Sequence, residues 1–196
     1  MARNTDPTRI EKIHKATMHM VVQNGYGGAS VSSIARRAGV AEGYLYRFYK
    51  GKSELVNGLF YKVLSEVANH MEEVLGRSQT IGEVLDELLH QMLKLTHSTP
   101  EKIMFLYKLM HDPTFRMDNS LRDRIFTICS SFRKLGTATG QMDPQISEEN
   151  IYLLCVAYPI SFINARLKGL FYTQKLDEEE LVSVKSLILK SLKNNA

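Results

Sequence analysis

The groups able to do chemistry in this chain gather in one stretch, Val31–Leu55, VSSIARRAGVAEGYLYRFYKGKSEL, and in Ser30 just before it. Serine hydroxyls, tyrosines and Lys52 are hydrogen-bonding and cationic groups of the kind that grip phosphates and touch base edges. Their spacing reads as a short helix, a tight turn at Gly39, a second short helix, and a Gly-Lys-Ser break that opens a third. A short helix crossing the DNA backbone, followed by one entering the major groove, is how a helix-turn-helix reads sequence. Ser30, at the head of the first of these helices, can offer its hydroxyl and main-chain N–H groups to a phosphate. Ala41, Glu42, Gly43 and Tyr44 form the leading end of the second. Ala41 and Tyr44 suit a thymine methyl, and Glu42 can accept from cytosine N4. Lys52 supplies a point charge at a helix start, where helix polarity slightly disfavours a cation. A phosphate opposite it would explain the placement.

Charge is distributed to match. The net charge is only +4, but residues 1–52 hold nine Lys/Arg against three acids, and the remaining 144 residues hold 16 against 18. A basic quarter on a near-neutral body is the asymmetry of a nucleic-acid-binding head. Enzyme signatures are missing: the sequence has no GxSxG, no HExxH and no phosphate-cradling glycine loop. No cofactor is expected. His90 and His97 lie seven residues apart, two helical turns, too far to grip one ion together, so no metal is expected. Cys129 and Cys155 sit in apolar stretches and read as core residues in a reducing compartment. The polar start MARNTDPTRIEK and the lack of a long apolar run point to a cytoplasmic protein without a membrane span.

The elements that must position these groups are helices throughout, because apolar residues recur at helical spacing and period-2 alternation is hard to find. Asp6-Pro7, or Thr8 with Glu11, opens the first helix, which closes at Asn24-Gly25. Ser30 caps the second and Gly39 ends it; the third spans about Ala41–Tyr49; a long fourth runs from Lys52 to about residue 75. Thr80 with Glu83, Pro100, Ser147, and Asp177 with Glu180 start later helices, and Asp112-Pro113 and the TATGQMDP segment interrupt them. Pro159 should kink the penultimate helix. The expected fold is all-α, about nine helices, divided into residues 1–52 as the DNA-binding domain and 53–196 as a helical body.

Three segments, Gly25-Tyr26, Ser30-Val31-x-x-Ile34-Ala35-x-x-Ala38-Gly39-Val40, and Leu45-Tyr46-x-x-Tyr49 with Lys52-x-x-Leu55, carry a resemblance to the TetR family of transcriptional repressors. The resemblance is specific over about residues 8–60 and extends beyond them only as helix number and length. It implies an all-helical homodimer that reads a palindromic double-stranded DNA operator and carries a ligand cavity and dimerisation surface in its C-terminal domain. It also implies that Ser32 and Ser33 approach base edges and that Tyr46 and Lys52 hold phosphates. The last two helices, Ile151–Leu170 and Leu181–Leu192, become the natural dimer interface.

Two residues depart from the family pattern. Glu42 either directs a negative charge toward the DNA or points away from it, and Phe48 replaces a polar backbone contact, where it either packs inside the reader or touches a sugar. A body rich in methionine and aromatic side chains suits both an ordinary core and a pocket for an unknown, largely apolar small-molecule effector. The pocket candidates are Met92, Met104, Phe105, Tyr107, Met110, Phe126, Phe132, Tyr152 and Tyr158. Two alternatives stand beside the ligand-responsive repressor: an enzyme acting on a small apolar substrate in the helical body, and a DNA-organising protein with no ligand switch.

Overall fold

The computed structural model describes residues 6–170 and 176–193. Ten α-helical segments appear among them: α1 Pro7–Gly28, α2 Val31–Ala38, α3 Glu42–Tyr46, α4 Lys52–Arg77, α5 Ile81–Ser98, α6 Pro100–Met110, α7 Asn119–Ala138, α8 Glu148–Tyr152, α9 Tyr158–Leu167 and α10 Glu178–Leu192. A π-helical turn, Leu153–Ala157, joins α8 to α9, so these three pieces form one continuous helix and the total is nine. No strand occurs among the described residues. The turn sits immediately before Pro159, which has no N–H to give to the preceding turn, and the helix widens there where the sequence leads one to expect a kink.

The helices are cut where the chain supplies caps. The Asp6 carboxylate accepts from Thr8 N–H at 3.0 Å with Pro7 in the first turn, which selects the first of the two N-terminal possibilities for α1. Gly25 adopts φ 72° and ψ 171°, a conformation essentially closed to residues with a Cβ, and α1 continues beyond this break to Gly28. Thr80 caps α5 by accepting from Glu83 N–H at 3.2 Å. Asp177 and Glu180 close a capping box on α10.

Two compact units emerge. The first comprises Met1–Val63 together with Met104–Met117 and is larger than residues 1–52. Its helical core is small: Ile13, Ala16, Ile34, Ala35, Ala38, Leu45 and Leu55, all buried. Each fully buried Ile or Leu contributes roughly 1.5–3 kcal/mol, and the alanines let the short helices approach. Beside this core, Phe60 and Phe105 are almost wholly buried, and Phe115 sits edge-on to both Phe60 and Tyr26, with ring centroids at 5.0 and 5.5 Å. The Asp112 carboxylate accepts from the Thr114 hydroxyl at 2.6 Å and from Thr114 N–H at 2.9 Å, which turns the chain after α6 and holds that carboxyl below its ordinary range.

The second unit, Leu64–Ile103 with Asp118–Ala196, is a bundle in which α10 lies against α5. Gly136 on α7 makes a close approach possible: a Cβ there would lie 2.8 Å from Met142 Cβ and 3.2 Å from Ile81 Cγ2. The same loop completes two helix ends, since Gln141 Oε1 accepts from Ile81 N–H at 3.0 Å and Asp143 N–H donates to Leu192 O at 2.9 Å.

Candidate nucleic-acid interface

The turn between α2 and α3 fixes the reader. Gly39 takes φ 68° and ψ 36°, and around it Gly39 N–H donates to Arg36 O while Val40 N–H donates to Ala35 O at 3.1 Å. This is a Schellman closure, whose left-handed residue is best supplied by glycine. At the other end of α2, Ser30 Oγ accepts from Ser33 N–H at 3.1 Å, and Ser33 Oγ accepts from Ser30 N–H at 3.1 Å. Ser33 Oγ also donates to Ser30 O at 2.9 Å, so both hydroxyls are engaged in the capping box, and Ser32 is exposed beside them.

Ala41 precedes α3 in an extended conformation without a side-chain cap, and Ala41, Glu42 and Gly43 are exposed. Glu42 occupies the first turn of α3, where a carboxylate meets the positive end of the helix dipole, a favourable placement that needs no DNA. Leu45 points inward and is buried, and Tyr46 is 55% exposed. Phe48 is half-buried and packs edge-on against Tyr44, with ring centroids 5.2 Å apart. The structure thus places it inside the reader, against Tyr44.

Lys52 has a partner within the chain. Its ammonium donates to Tyr26 O at 2.8 Å and lies 4.5 Å from the centre of the Tyr26 ring. The last carbonyls of α1, Tyr26 O and, at 3.5 Å, Gly27 O, therefore account for a lysine at the start of α4, and an ammonium with three N–H groups still keeps a donor to spare. Tyr49, three residues before it, meets His14 through a 3.2 Å contact between its hydroxyl and His14 Nε2. Burial, reinforced by Lys62, holds His14 below the ordinary imidazole value.

Residues outside the sequence-derived list complete this surface. Arg36, Arg37, Arg47 and Lys50 are exposed, and none is ion-paired to an acid among the described residues. Arg9 and Arg47 both sit over the Tyr44 ring, at 5.5 and 5.7 Å from its centre. The sequence shows these arginines as net charge. That Arg9 meets Tyr44 depends on how α1 packs, and no local spacing reveals it.

The pocket candidates are divided between the two units. Met104, Phe105, Tyr107 and Met110 belong to the unit that contains the reader. In the second unit, Met92 and Phe132 are buried, Tyr152 and Tyr158 half-buried, and Phe126 is 58% exposed. An open cleft of about 790 Å³ in that unit is lined by other residues, among them Arg77, Asp86, Glu87, His90, Glu178 and Lys185. Its charges are largely matched, with Lys185 Nζ 2.6 Å from Asp86 and Arg77 3.3 Å from Glu87. Burial raises the thiols of Cys129 and Cys155 to about 11 and about 12, so both stay protonated and unreactive.

Residues 13–59 match the family model described as bacterial regulatory proteins, tetR family. The chain is 34% identical over 74 residues to the fatty acid metabolism regulator protein of Bacillus subtilis, a match covering 38% of each chain. It spans 51% of the length of another matched regulator of that organism. Its fold superposes on a TetR family transcription regulator from Marinobacter aquaeolei with a TM-score of 0.75, at 18% identity over 96% of this chain and 97% of that one. The regulator FadR of Bacillus subtilis, solved in complex with stearoyl-CoA, gives a TM-score of 0.64 at 19% identity over 95% and 98% of the two chains.

Proposed function

We propose that this chain, which belongs to the tetR family of bacterial regulatory proteins, is a dimeric repressor that leaves a palindromic operator when a small, largely apolar effector binds its helical body. It is a DNA-binding transcriptional regulator. One observation supports the DNA-binding part of this reading: a helix-turn-helix fixed by a capping box and a Schellman turn, surrounded by four outward cations without acid partners among the described residues. Such a surface attracts DNA through counterion release, and its exposed helix ends discriminate among bases.

The operator contacts we assign are Ser30, Ser32 and Ser33 at the head of α2, Ala41, Glu42, Gly43 and Tyr46 around α3, and Lys52; Tyr44 and Phe48 pack against each other behind them. Ser30 and Ser33 contribute through the helix end that they cap. A single reader covers too few base pairs for useful specificity, so two copies engage half-sites about 34 Å apart, one helical turn of DNA. For the effector, the apolar acyl chain of a coenzyme A thioester is the first chemistry to try, although its CoA head is large and anionic. The support is the likeness to a fatty acid metabolism regulator and to a fold neighbour bound to stearoyl-CoA. Met92, Phe132, Tyr152 and Tyr158 remain the lining candidates within the body.

The test is to pass sheared genomic DNA over the purified protein at physiological salt and sequence what is retained. A short palindrome from a few promoters is expected, and long-chain acyl-CoA but not free CoA should release it, by about 5- to 150-fold in affinity for a typical coupling. Retention without a shared sequence overturns the operator and leaves a non-specific binder. Release by no acyl-CoA overturns only the effector.

A further inference from the structure

Tyr44 stands where a base-reading side chain is expected, yet its geometry is that of a support. Its side chain is half-buried against the reader's core, and its hydroxyl is shielded from solvent with no hydrogen-bond partner. A hydroxyl meant for a base edge would face the groove. Around the ring are Phe48, edge-on, and two guanidiniums, Arg9 from the first turns of α1 and Arg47 just after α3. Arg9 is 58% exposed and also paired to Asp6 at 3.3 Å; Arg47 is exposed and has no acid partner among the described residues.

We infer that Tyr44 is a positioning residue: its ring holds Arg9 and Arg47 ready to grip the DNA backbone, and it does not itself read a base. The inference rests on the DNA-binding reading above. A guanidinium is weakly hydrated and planar, so it stacks on an aromatic ring while keeping its N–H fork free for a phosphate. Phosphate is the ligand such a fork fits, in one or two parallel hydrogen bonds. Ordering two long side chains before binding removes much of the entropy that they would otherwise lose on contact. Arg9 exchanges or shares its bond to Asp6 when the phosphate arrives, which tempers the charge of the free protein. This division of labour assigns discrimination to the exposed residues Ser32, Ala41 and Glu42, and assigns sequence-independent grip to the arginines.

The experiment is fluorescence anisotropy with the full chain on two duplexes, the recovered operator and a scrambled sequence of equal length, across a salt series. Arg9→Gln and Arg47→Gln should each flatten the slope of log K against log salt by about 0.9 and weaken both duplexes alike. Tyr44→Phe keeps the ring and should match the wild type on both. Tyr44→Leu should weaken both duplexes by about 5- to 30-fold, the loss of two exposed cation–π contacts, with a flatter slope. If Tyr44→Phe loses operator affinity but keeps affinity for the scrambled duplex, the hydroxyl reads a base and the inference fails. It fails equally if the double variant Arg9→Gln/Arg47→Gln retains the full salt slope, a result independent of whether Tyr44→Leu folds. A wild type without salt-dependent affinity for either duplex overturns the DNA-binding reading, and the platform with it.

Discussion

The reader and the body handle charge in opposite ways. In the body, several cations are matched to acids on other helices: Arg124 to Glu72 at 2.7 Å, Lys102 to Glu66 at 2.8 Å, Lys185 to Asp86 at 2.6 Å, and Arg166 to Glu180. In the reader, Arg36, Arg37, Arg47 and Lys50 face outward without acid partners among the described residues, and the ion pairs Arg9–Asp6 and Lys15–Glu11 lie within α1 and its cap. Surface pairs such as Lys185–Asp86, whose carboxylate is 61% exposed, contribute little stability, so they chiefly specify which helix lies beside which. The reader forgoes that specification and leaves these four cations to solvent. The contrast teaches where each unit's order comes from: caps and turns in one, long-range pairing and close approach in the other.

The comparison breaks first at Leu45, the only buried side chain of the five-residue α3. Leu45→Ala should cost about 2–5 kcal/mol. Hydrogen exchange should then accelerate across α1–α3 while the peptides of α5, α7 and α10 exchange as before; acceleration in both units would show that their stabilities are not separate. Gly136→Ala is the counterpart in the body. Its new methyl collides with Met142 Cβ, and overpacking of this kind costs about 1–3 kcal/mol. Exchange should quicken around α5 and α7, with DNA affinity preserved.

Ser30→Ala tests the reader's reliance on caps. Loss of the capping box should cost about 1 kcal/mol and fray the head of α2, visible as faster exchange at Ser33 and Ile34. The corresponding body change, Lys185→Ala, removes an ion pair on a half-exposed surface and should shift stability by no more than about 1 kcal/mol. The smallest effect sharpens the contrast through pH. Burial, with Lys62 nearby, lowers the folded value of His14 below the unfolded value of about 6.5. Above that pH the two states bind protons alike. As pH falls through it, the unfolded chain takes up the proton first and the reader loses stability, until pH drops below the folded value. His14→Gln should flatten this decline in a urea titration of reader unfolding repeated between about pH 7.5 and 5.

Local spacing made most of the fold legible. Ser30 with Ser33, Gly39, Thr80 with Glu83, Pro100, and Asp177 with Glu180 each announce a helix boundary through chemistry confined to a few residues, and the observed helices start and stop there. The π turn before Pro159 was less legible, because the sequence marks an interruption without saying whether the helix bends or widens. The reader's surface was half legible. Exposed Ser32, Ala41 and Tyr46 follow from position on short helices, but the inward hydroxyl of Tyr44, the carbonyl partner of Lys52 and the meeting of Arg9 with Arg47 depend on packing between segments up to 38 residues apart. In the body, methionine and aromatic content could not separate core from cavity lining, since both call for the same side chains.

The aromatic group Tyr26, Phe60, Phe105 and Phe115 bears on how such a protein can be recombined. Crossovers exchange contiguous stretches, and a chimera that joins residues 1–63 to a foreign body inherits Tyr26 and Phe60 without Phe105 and Phe115. Transplanting the head faithfully therefore requires importing a second, distant stretch as well, residues 104–117. This unit is compact in space but discontinuous in sequence, and its transfer to another chain is constrained by four rings.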